Sequence, residues 1–524
     1  MTIRETTNAS EATEYFVDRH SDEGRSDKVA FLQDGRKLSY GELKSHSDRM
    51  VTFYKRIGIS RENRVALLIL DRLEFPIIFW GSLKAGIIPV CLNTLLSTQQ
   101  YSYILADCRA RVLFVSVELY PTIAPLLCDH ATLEHVFVVG GTVDGQAEFE
   151  PAFATCTDGV PVDVSPDETA FWLYSSGSTG MPKGVMHVHS SLRESHETFG
   201  RQVLGIREDD IVFSAAKLFF AYGLGNAMTF PMAVGATTIL FPGRPTPQSI
   251  STILSEHRPT IFFGVPTLFA AMLADAEGLS SENHNLRLCV SAGEALPKDI
   301  GERWKSLTNV DILDGVGSTE MLHIFLSNTP GDVEYGTSGM AVPGYDVRLV
   351  NETDDDVQDE EVGELLVRGN TAAAGYWNQR DKSRRTFLGQ WTRTGDKYTR
   401  RADGRHIYRG RTDDMFKVSG IWVSPFEVES ALITHEAVLE AAVVPQSDAD
   451  GLTKPKAFVI LVPDMNDLGG GSGGQSFDET HLFNTLKEHV KSMIGQWKYP
   501  RWIEFVAELP KTATGKIQRY KLRN

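Results

Sequence analysis

The chain has 524 residues, with 52 Lys+Arg against 68 Asp+Glu for a formal net charge of −16. Hydrophobic residues are 42% and charged residues 23%, which suits a folded globular protein and not a disordered one. The acidic balance argues against duplex nucleic acid or an anionic membrane surface as the main partner. The cysteines are Cys91, Cys108, Cys128, Cys156 and Cys289. They form no CxxC pair, and an odd number suits a reducing compartment. The N-terminal MTIRETTNASEATEYFVDRH lacks an apolar signal core, so a cytoplasmic location is expected.

In chain order, a helical pattern through Leu43, Met50, Tyr54 and Ile57 precedes a buried-strand run at Val65–Leu70. A helix is expected over Leu73–Ala85, a strand at Ile87–Leu92, a helix around Gln99–Ala106, and strands at Arg111–Ser116 and His135–Gly140. The apolar run Phe75–Leu92 is broken by Pro76, Lys84 and Pro89, so it reads as a buried helix and strand and not a membrane span. This alternation predicts a parallel sheet with helices on its faces. Runs at Ile211–Ser214, Thr237–Phe241, Thr260–Phe263 and Leu286–Ser291 predict a second wound sheet.

From about Gly363 the texture changes to short strands and turns, GELLVRG and GRHIYRG, after an acidic stretch, Asp354–Glu361, that reads as a solvated hairpin tip. From about Asp413, helices at Pro425–Thr434 and Asp478–Met493 alternate with strands at Leu439–Val444, Lys456–Leu461 and Trp502–Phe505. The Gly/Ser insert Gly469–Gly474 reads as a surface loop within this part. The expected architecture is α/β: a large N-terminal domain, 1–412, with wound sheets and a small β-rich subdomain, and a smaller α+β domain, 413–524.

The segment Tyr174–Val185, YSSGSTGMPKGV, follows the apolar run Ala170–Leu173. Gly177 and Gly180 let backbone N–H groups approach an anion, the hydroxyls of Ser175, Ser176, Ser178 and Thr179 add donors, and Lys183 can neutralise charge. That is chemistry for holding polyphosphate. The Gly-Lys-Ser/Thr ending of a Walker A loop is absent, because Pro182 precedes Lys183 and Gly184 follows it. His187 and His189 alternate in HVH, a spacing open to a metal pair; polar residues on a strand near a nucleotide are the favoured reading.

With this loop the chain resembles the acyl-adenylate-forming superfamily, and further motifs follow in that family's order. In DGVGSTE the resemblance implies nucleotide contacts at Asp314, Gly315 and Ser318, Thr319 approaching the adenylate, and Glu320 binding Mg²⁺. In WTRTGDK it implies that Asp396 accepts the ribose hydroxyls, and in GRTDDMFKVSG that Arg411 serves the ribose and phosphate side and Asp413 the interdomain hinge. In PKTATGKIQR it makes Lys516 the adenylation lysine. The implied mobile C-terminal domain would then swing about Asp413 and bring Lys417, Ser419 and Gly420 to the site for attack by the thiol of coenzyme A.

The substrate segment Ser214–Asn226, SAAKLFFAYGLGN, has no Asp to anchor an amine, so an α-amino acid is not expected. Its aromatic residues offer flat apolar surface for a ring, with core packing as the alternative. FFAYGLGN, SAGEALP and GSTEMLHIFLSN resemble benzoate-CoA ligases and their hydroxybenzoate-specific relatives. That resemblance implies an aryl site at Phe220, Ala221, Tyr222, Gly223, Ser291, Ala292, Gly293, Gly317, His323 and Ile324. It implies ATP, Mg²⁺ and coenzyme A as cofactor and co-substrates, and an aromatic acid as the small-molecule partner; a homodimer stays open. The alternatives are an enzyme loading a carrier-protein thiol, luciferase-like oxidation, and a catalytically inactive acyl-adenylate or ATP binder.

Overall fold

A computed structural model describes residues 11–175, 181–275, 279, 283–412, 414–418, 421–448, 452–462, 479–495, 498–511 and 517–523. Within it the chain divides into two compact units, 1–347 with 367–393, and 348–366 with 394–524. Ser176–Gly180, Asp413, Ser419, Gly420, Lys516, the side chain of Lys417 and the insert Gly469–Gly474 lie outside the described residues. No helix among the described residues is long and apolar enough to cross a membrane.

The first unit contains two large sheets. One orders its strands Gly375–Tyr376, Lys183–Val188, Thr169–Ser175, Ile88–Cys91, Arg64–Leu68, Val112–Ser116, His135–Val139 and Ala147–Glu148. From Thr169–Ser175 to Ala147–Glu148 the pairs are parallel. The strand Lys183–Val188 returns antiparallel along Thr169–Ser175, and Gly375–Tyr376 closes that edge antiparallel to it. The runs read from sequence as strands are there, trimmed by a residue or two. Val112–Ser116 is buried throughout, as expected of a parallel strand covered on both faces.

Among the described residues the other sheet has nine strands, with a parallel centre through Val29–Gln33, Thr237–Ile239, Ile211–Ser214, Ile261–Gly264, Leu288–Ala292 and Ile312–Gly317. The antiparallel strands Ile324–Ser327 and Met340–Ala341 extend it on one side. Phe213, Phe262, Cys289 and Ile312 of the nine-stranded sheet lie in a separate apolar cluster. The main apolar cluster joins the first sheet, the strand Val29–Gln33 and the helices Tyr40–Arg56 and Glu74–Lys84, the second of which is buried along its whole length. The helix Tyr40–Arg56 starts where its sequence provides a capping box: Ser39 accepts from the Glu42 backbone and Glu42 accepts from the Ser39 backbone. Lys84, inside this cluster, is neutralised by Asp18 at 2.5 Å and Asp48 at 2.6 Å. Cys91, Cys108, Cys156 and Cys289 are buried and unbridged.

The second unit holds most of a five-stranded sheet in which Trp391–Arg400 is paired antiparallel with His406–Arg411. The acidic stretch lies between the neighbouring strands Asp346–Val350 and Gly363–Arg368 and is largely exposed, as read from sequence. Beyond it, Val438–Ser447 and Thr453–Leu461 pair antiparallel, and Trp502–Phe505 joins in parallel. The helices Pro425–Ile433 and Glu479–Ile494 share an apolar cluster with these strands. Arg519 donates to both carboxylate oxygens of Glu429, at 3.0 and 2.7 Å, and an isolated bridge pairs Lys511 with Ile517. Both flanks of the segment that carries Lys516 are therefore tied down.

Candidate active site

Three groups from distant parts of the first unit meet at the end of the Lys183–Val188 strand. Lys183 Nζ lies 2.7 Å from Glu320 Oε1 and 2.7 Å from the Tyr376 hydroxyl, and that hydroxyl lies 2.8 Å from the same Glu320 oxygen. The ammonium also sits 4.1 Å from the centroid of the Tyr376 ring. Burial pushes the Glu320 carboxyl up, but the charge of Lys183 and the hydrogen bonds from Lys183 and Tyr376 outweigh it and hold the group below its ordinary range. Lys183 and Glu320 were expected from sequence; Tyr376 was not, because its two-residue strand pairs with Val185 from far along the chain.

Glu320 is presented by a loop between Ile312–Gly317 and Ile324–Ser327. His187 donates from Nε2 to the Thr319 carbonyl at 2.8 Å, and the Ser318 hydroxyl accepts from the Met321 backbone at 3.1 Å. Burial takes His187 down to about 4, so it packs as a neutral donor beneath the loop. Among the described residues no cluster of three His, Cys, Asp or Glu could hold a metal. A single carboxylate does fit Mg²⁺, a hard cation commonly held by one or two carboxylates with the oxygens of a phosphate substrate. Asp314, 3% exposed, packs in the adjoining strand, and burial drives its carboxyl well up. Gly315 admits Ile324, whose side chain would lie 2.7 Å from an added Cβ.

The residues expected at an aryl site are mostly buried. Phe219 and Ala221 belong to the main apolar cluster, and Phe220 packs against it. Tyr222 is half-buried, with its hydroxyl directed at the carbonyls of Gly264 and Val290 at 3.3 and 3.2 Å. Its ring centroid is 5.6 Å from that of His323. His323 is 2% exposed, between Phe199, Phe230 and Tyr222. Burial takes its pKa to about 3, so the imidazole is neutral. Its Nε2 lies 3.0 Å from Asn226 Oδ1; Asn226 escaped sequence reading.

Glycines make room around His323 and its neighbours. A Cβ on Gly225 would fall 2.4 Å from His323 Cδ2, and one on Gly317 would fall 2.5 Å from the His323 carbonyl oxygen. Leu322, at φ +64°, turns the chain into His323 through the left-handed region, a conformation uncommon for a residue with a branched side chain. Ile324 is buried beside Gly315 and Gly317. Ser291 and Ala292 are buried in the neighbouring strand, which ends at the exposed Gly293 with φ +97°. Gly223 sits where a Cβ would meet the Lys217 carbonyl oxygen at 2.0 Å.

In the second unit, Asp396 Oδ1 accepts from Arg411 Nη1 at 2.9 Å across the register pair of two antiparallel strands. Arg411 also donates to the Thr394 carbonyl at 3.0 Å. The pairing presents a carboxylate and a guanidinium side by side, the chemistry wanted for a ribose diol and a phosphate.

A lysine that follows a Gly/Ser/Thr-rich stretch of sequence, paired with a glutamate from a loop of the second sheet, is the arrangement of a nucleotide-handling enzyme. Residues 18–377 match the model of the AMP-binding enzyme family, and residues 427–516 match that of the AMP-binding enzyme C-terminal domain. The chain belongs to the AMP-binding enzyme family. It is 55% identical over 510 residues to a 4-hydroxybenzoate–CoA/benzoate–CoA ligase of Rhodopseudomonas palustris, covering 97% of this chain and 93% of the relative. It is 50% identical to a benzoate–CoA ligase of Thauera aromatica, covering 98% and 95%. A benzoate CoA ligase from Burkholderia xenovorans LB400 superposes with a TM-score of 0.89 at 45% identity, over 98% of this chain and 99% of that one.

Proposed function

We propose that the protein is an AMP-forming acid–thiol ligase that converts benzoate or a hydroxybenzoate to its coenzyme A thioester. The observation that carries this is near-full-length identity of 50% and 55% to ligases of that name, in a chain whose substrate segment has no Asp. A carboxylate is a poor acyl donor, because expelling its oxygen is costly and its charge repels nucleophiles. In the first step one carboxylate oxygen bonds to the α-phosphorus of ATP. The bond from that phosphorus to the bridging oxygen breaks, and pyrophosphate leaves with the electron pair. In the second step the thiol sulfur of coenzyme A bonds to the acyl carbon, AMP leaves, and the thiol proton passes to solvent.

The first transition state spreads negative charge over phosphate and carboxylate, so fixed cations matter more than acid–base groups. In this reading Lys183 and the segment Ser175–Gly180 hold the polyphosphate, and Lys516 neutralises charge at the reacting oxygens. Asp396 accepts the ribose hydroxyls with Arg411 beside it. Glu320 would hold Mg²⁺, which supplies charge neutralisation on the phosphates when bound. Tyr222 and His323 shape the wall against the ring, and the neutral, buried imidazole suits an uncharged substituent. Asp413 is the hinge between the two half-reactions, and Lys417, Ser419 and Gly420 serve the thioester step.

Product analysis with MgATP, coenzyme A and a panel of benzoate, hydroxybenzoates, aminobenzoates, cyclohexanecarboxylate and amino acids tests the proposal. Aryl-CoA, AMP and pyrophosphate in equal amounts are expected. Faster turnover of aliphatic or amino acids would overturn it, and so would aryl-adenylate release without thioester formation.

A further inference from the structure

The triangle of Lys183, Glu320 and Tyr376 poses a problem that the proposed chemistry does not solve by itself. Lys183 is paired with Glu320, yet the nucleotide step wants its charge on phosphate. Among the described residues Lys183 is the cation in ion-pair contact with Glu320. Lys382, on the helix Arg380–Thr386, acts on the carboxylate only through space. When Lys183 turns away, the carboxylate, with only 14% of its side-chain surface exposed, needs another donor to keep its orientation.

We propose that Tyr376 is the positioning residue that keeps Glu320 in place through this exchange, so that the carboxylate still faces the metal–nucleotide complex once Lys183 has moved. The phenol has one proton: Lys183 can only donate and the Glu320 carboxylate can only accept, so Tyr376 accepts from the first and donates to the second at 2.8 Å, a shorter, charge-assisted bond than the one open to it at Thr386 Oγ1, 3.4 Å away. Its bond to Glu320 therefore survives the departure of Lys183.

Tyr376 is itself rigid. It is 4% exposed, its backbone N–H donates to Ser383 Oγ at 3.0 Å, its ring packs 5.3 Å from Phe387, and its strand is paired with the strand that carries Lys183. The same segment grips the glutamate from behind, where Ala373 N–H donates to the Glu320 carbonyl at 2.8 Å. The segment Ala373–Tyr376 thus holds Glu320 by backbone and side chain together.

The inference rests on the ATP and Mg²⁺ reading above, and its test is independent of which acid is activated. Tyr376→Phe keeps the ring under Lys183 and removes the hydroxyl. Calorimetric titration of the full chain with ATP, at a series of Mg²⁺ concentrations and without any acid, reads the effect directly. The Mg²⁺ concentration for half-maximal tightening of ATP binding should rise about tenfold, the cost of one charge-assisted hydrogen bond. The loss should fall mainly on the Mg²⁺-dependent part of ATP binding, with metal-free ATP binding and conversion of supplied aryl-adenylate to thioester changed clearly less. Tyr376→Leu, which also removes the ring, should raise the Mg²⁺ requirement at least as far. An unchanged Mg²⁺ requirement in both variants would overturn the proposal, and so would a Tyr376→Phe loss shared equally by metal-free ATP binding and the thioester step.

Discussion

Lys183→Met is expected to destabilise the first unit in a way that depends on pH with a definite sign. The two side chains of the Lys183–Glu320 pair keep only 13% and 14% of their exposure. Removing one partner of a fully buried pair costs about 3–5 kcal/mol, and the access left to water here brings the expectation to about 2–3 kcal/mol. In the intact protein Glu320 is held below its ordinary value of 4.5. Such a group adds stability at neutral pH that is lost as pH falls through the folded value. Without Lys183, burial dominates and lifts the carboxyl above its unfolded value. Its contribution is then present at low pH and lost as pH rises through the lifted value. The gap between wild type and variant should thus be widest near neutrality and narrow on acidification. Scanning calorimetry at about pH 7.5 and about pH 5 should show a Tm deficit of about 2–6 °C at the first and a clearly smaller one at the second. A deficit that is flat with pH, or widest in acid, would refute the electrostatic account of the pair.

His323, taken to about 3 by burial, should stay neutral through the working range; the ratio of kcat/KM for benzoate to that for 3-hydroxybenzoate should hold constant between about pH 6 and 8, and a titration near 6.5 would contradict it. Gly225→Ala places a methyl 2.4 Å from His323 Cδ2, so it should cost about 1–3 kcal/mol in denaturant unfolding and change the order of preference among substituted benzoates. Lys516→Ala should slow adenylate formation by about two to three decades and leave conversion of supplied aryl-adenylate near normal; single-turnover rates of each half-reaction measure both. Asp413→Pro, which fixes φ near −65°, should retain adenylate formation and lose the thioester step in the same assay.

Much of the fold can be read from local patterns. Uninterrupted runs of apolar and β-branched residues locate the parallel strands of the first unit, since a strand covered on both faces needs no polar alternation, and Ile211–Ser214 matches to the residue. Serines in capping boxes mark the starts of helices at Tyr40 and Thr98. Lys183 and Glu320 are legible because each sits in a motif with its own chemistry. Tyr376 is not: its partner Lys183 is 193 residues away in sequence, and GY in a turn-rich stretch has no period to betray a strand. Asn226 is hidden for another reason. It lies in a π-helical turn, Gly225–Thr229, where the widened repeat aims side chains off the ordinary helical faces, so spacing along the sequence misplaces it. The aromatic run Phe219–Tyr222 carried two readings, ring surface and core; Phe219 lies in the apolar cluster with Phe220 against it, and the Tyr222 hydroxyl is directed at the carbonyls of Gly264 and Val290.

The cysteines of the first unit bear on chemical selectivity. An activated acyl group is open to any competent sulfur nucleophile, and the competent form is the thiolate. Burial pushes the Cys91, Cys108, Cys156 and Cys289 thiols up, Cys108 to about 12. At physiological pH these sulfurs stay protonated and walled off by neighbouring side chains. A protein that manufactures acyl-transfer reagents in this way spares these four sulfurs self-acylation and leaves the field to the thiol that arrives from solution.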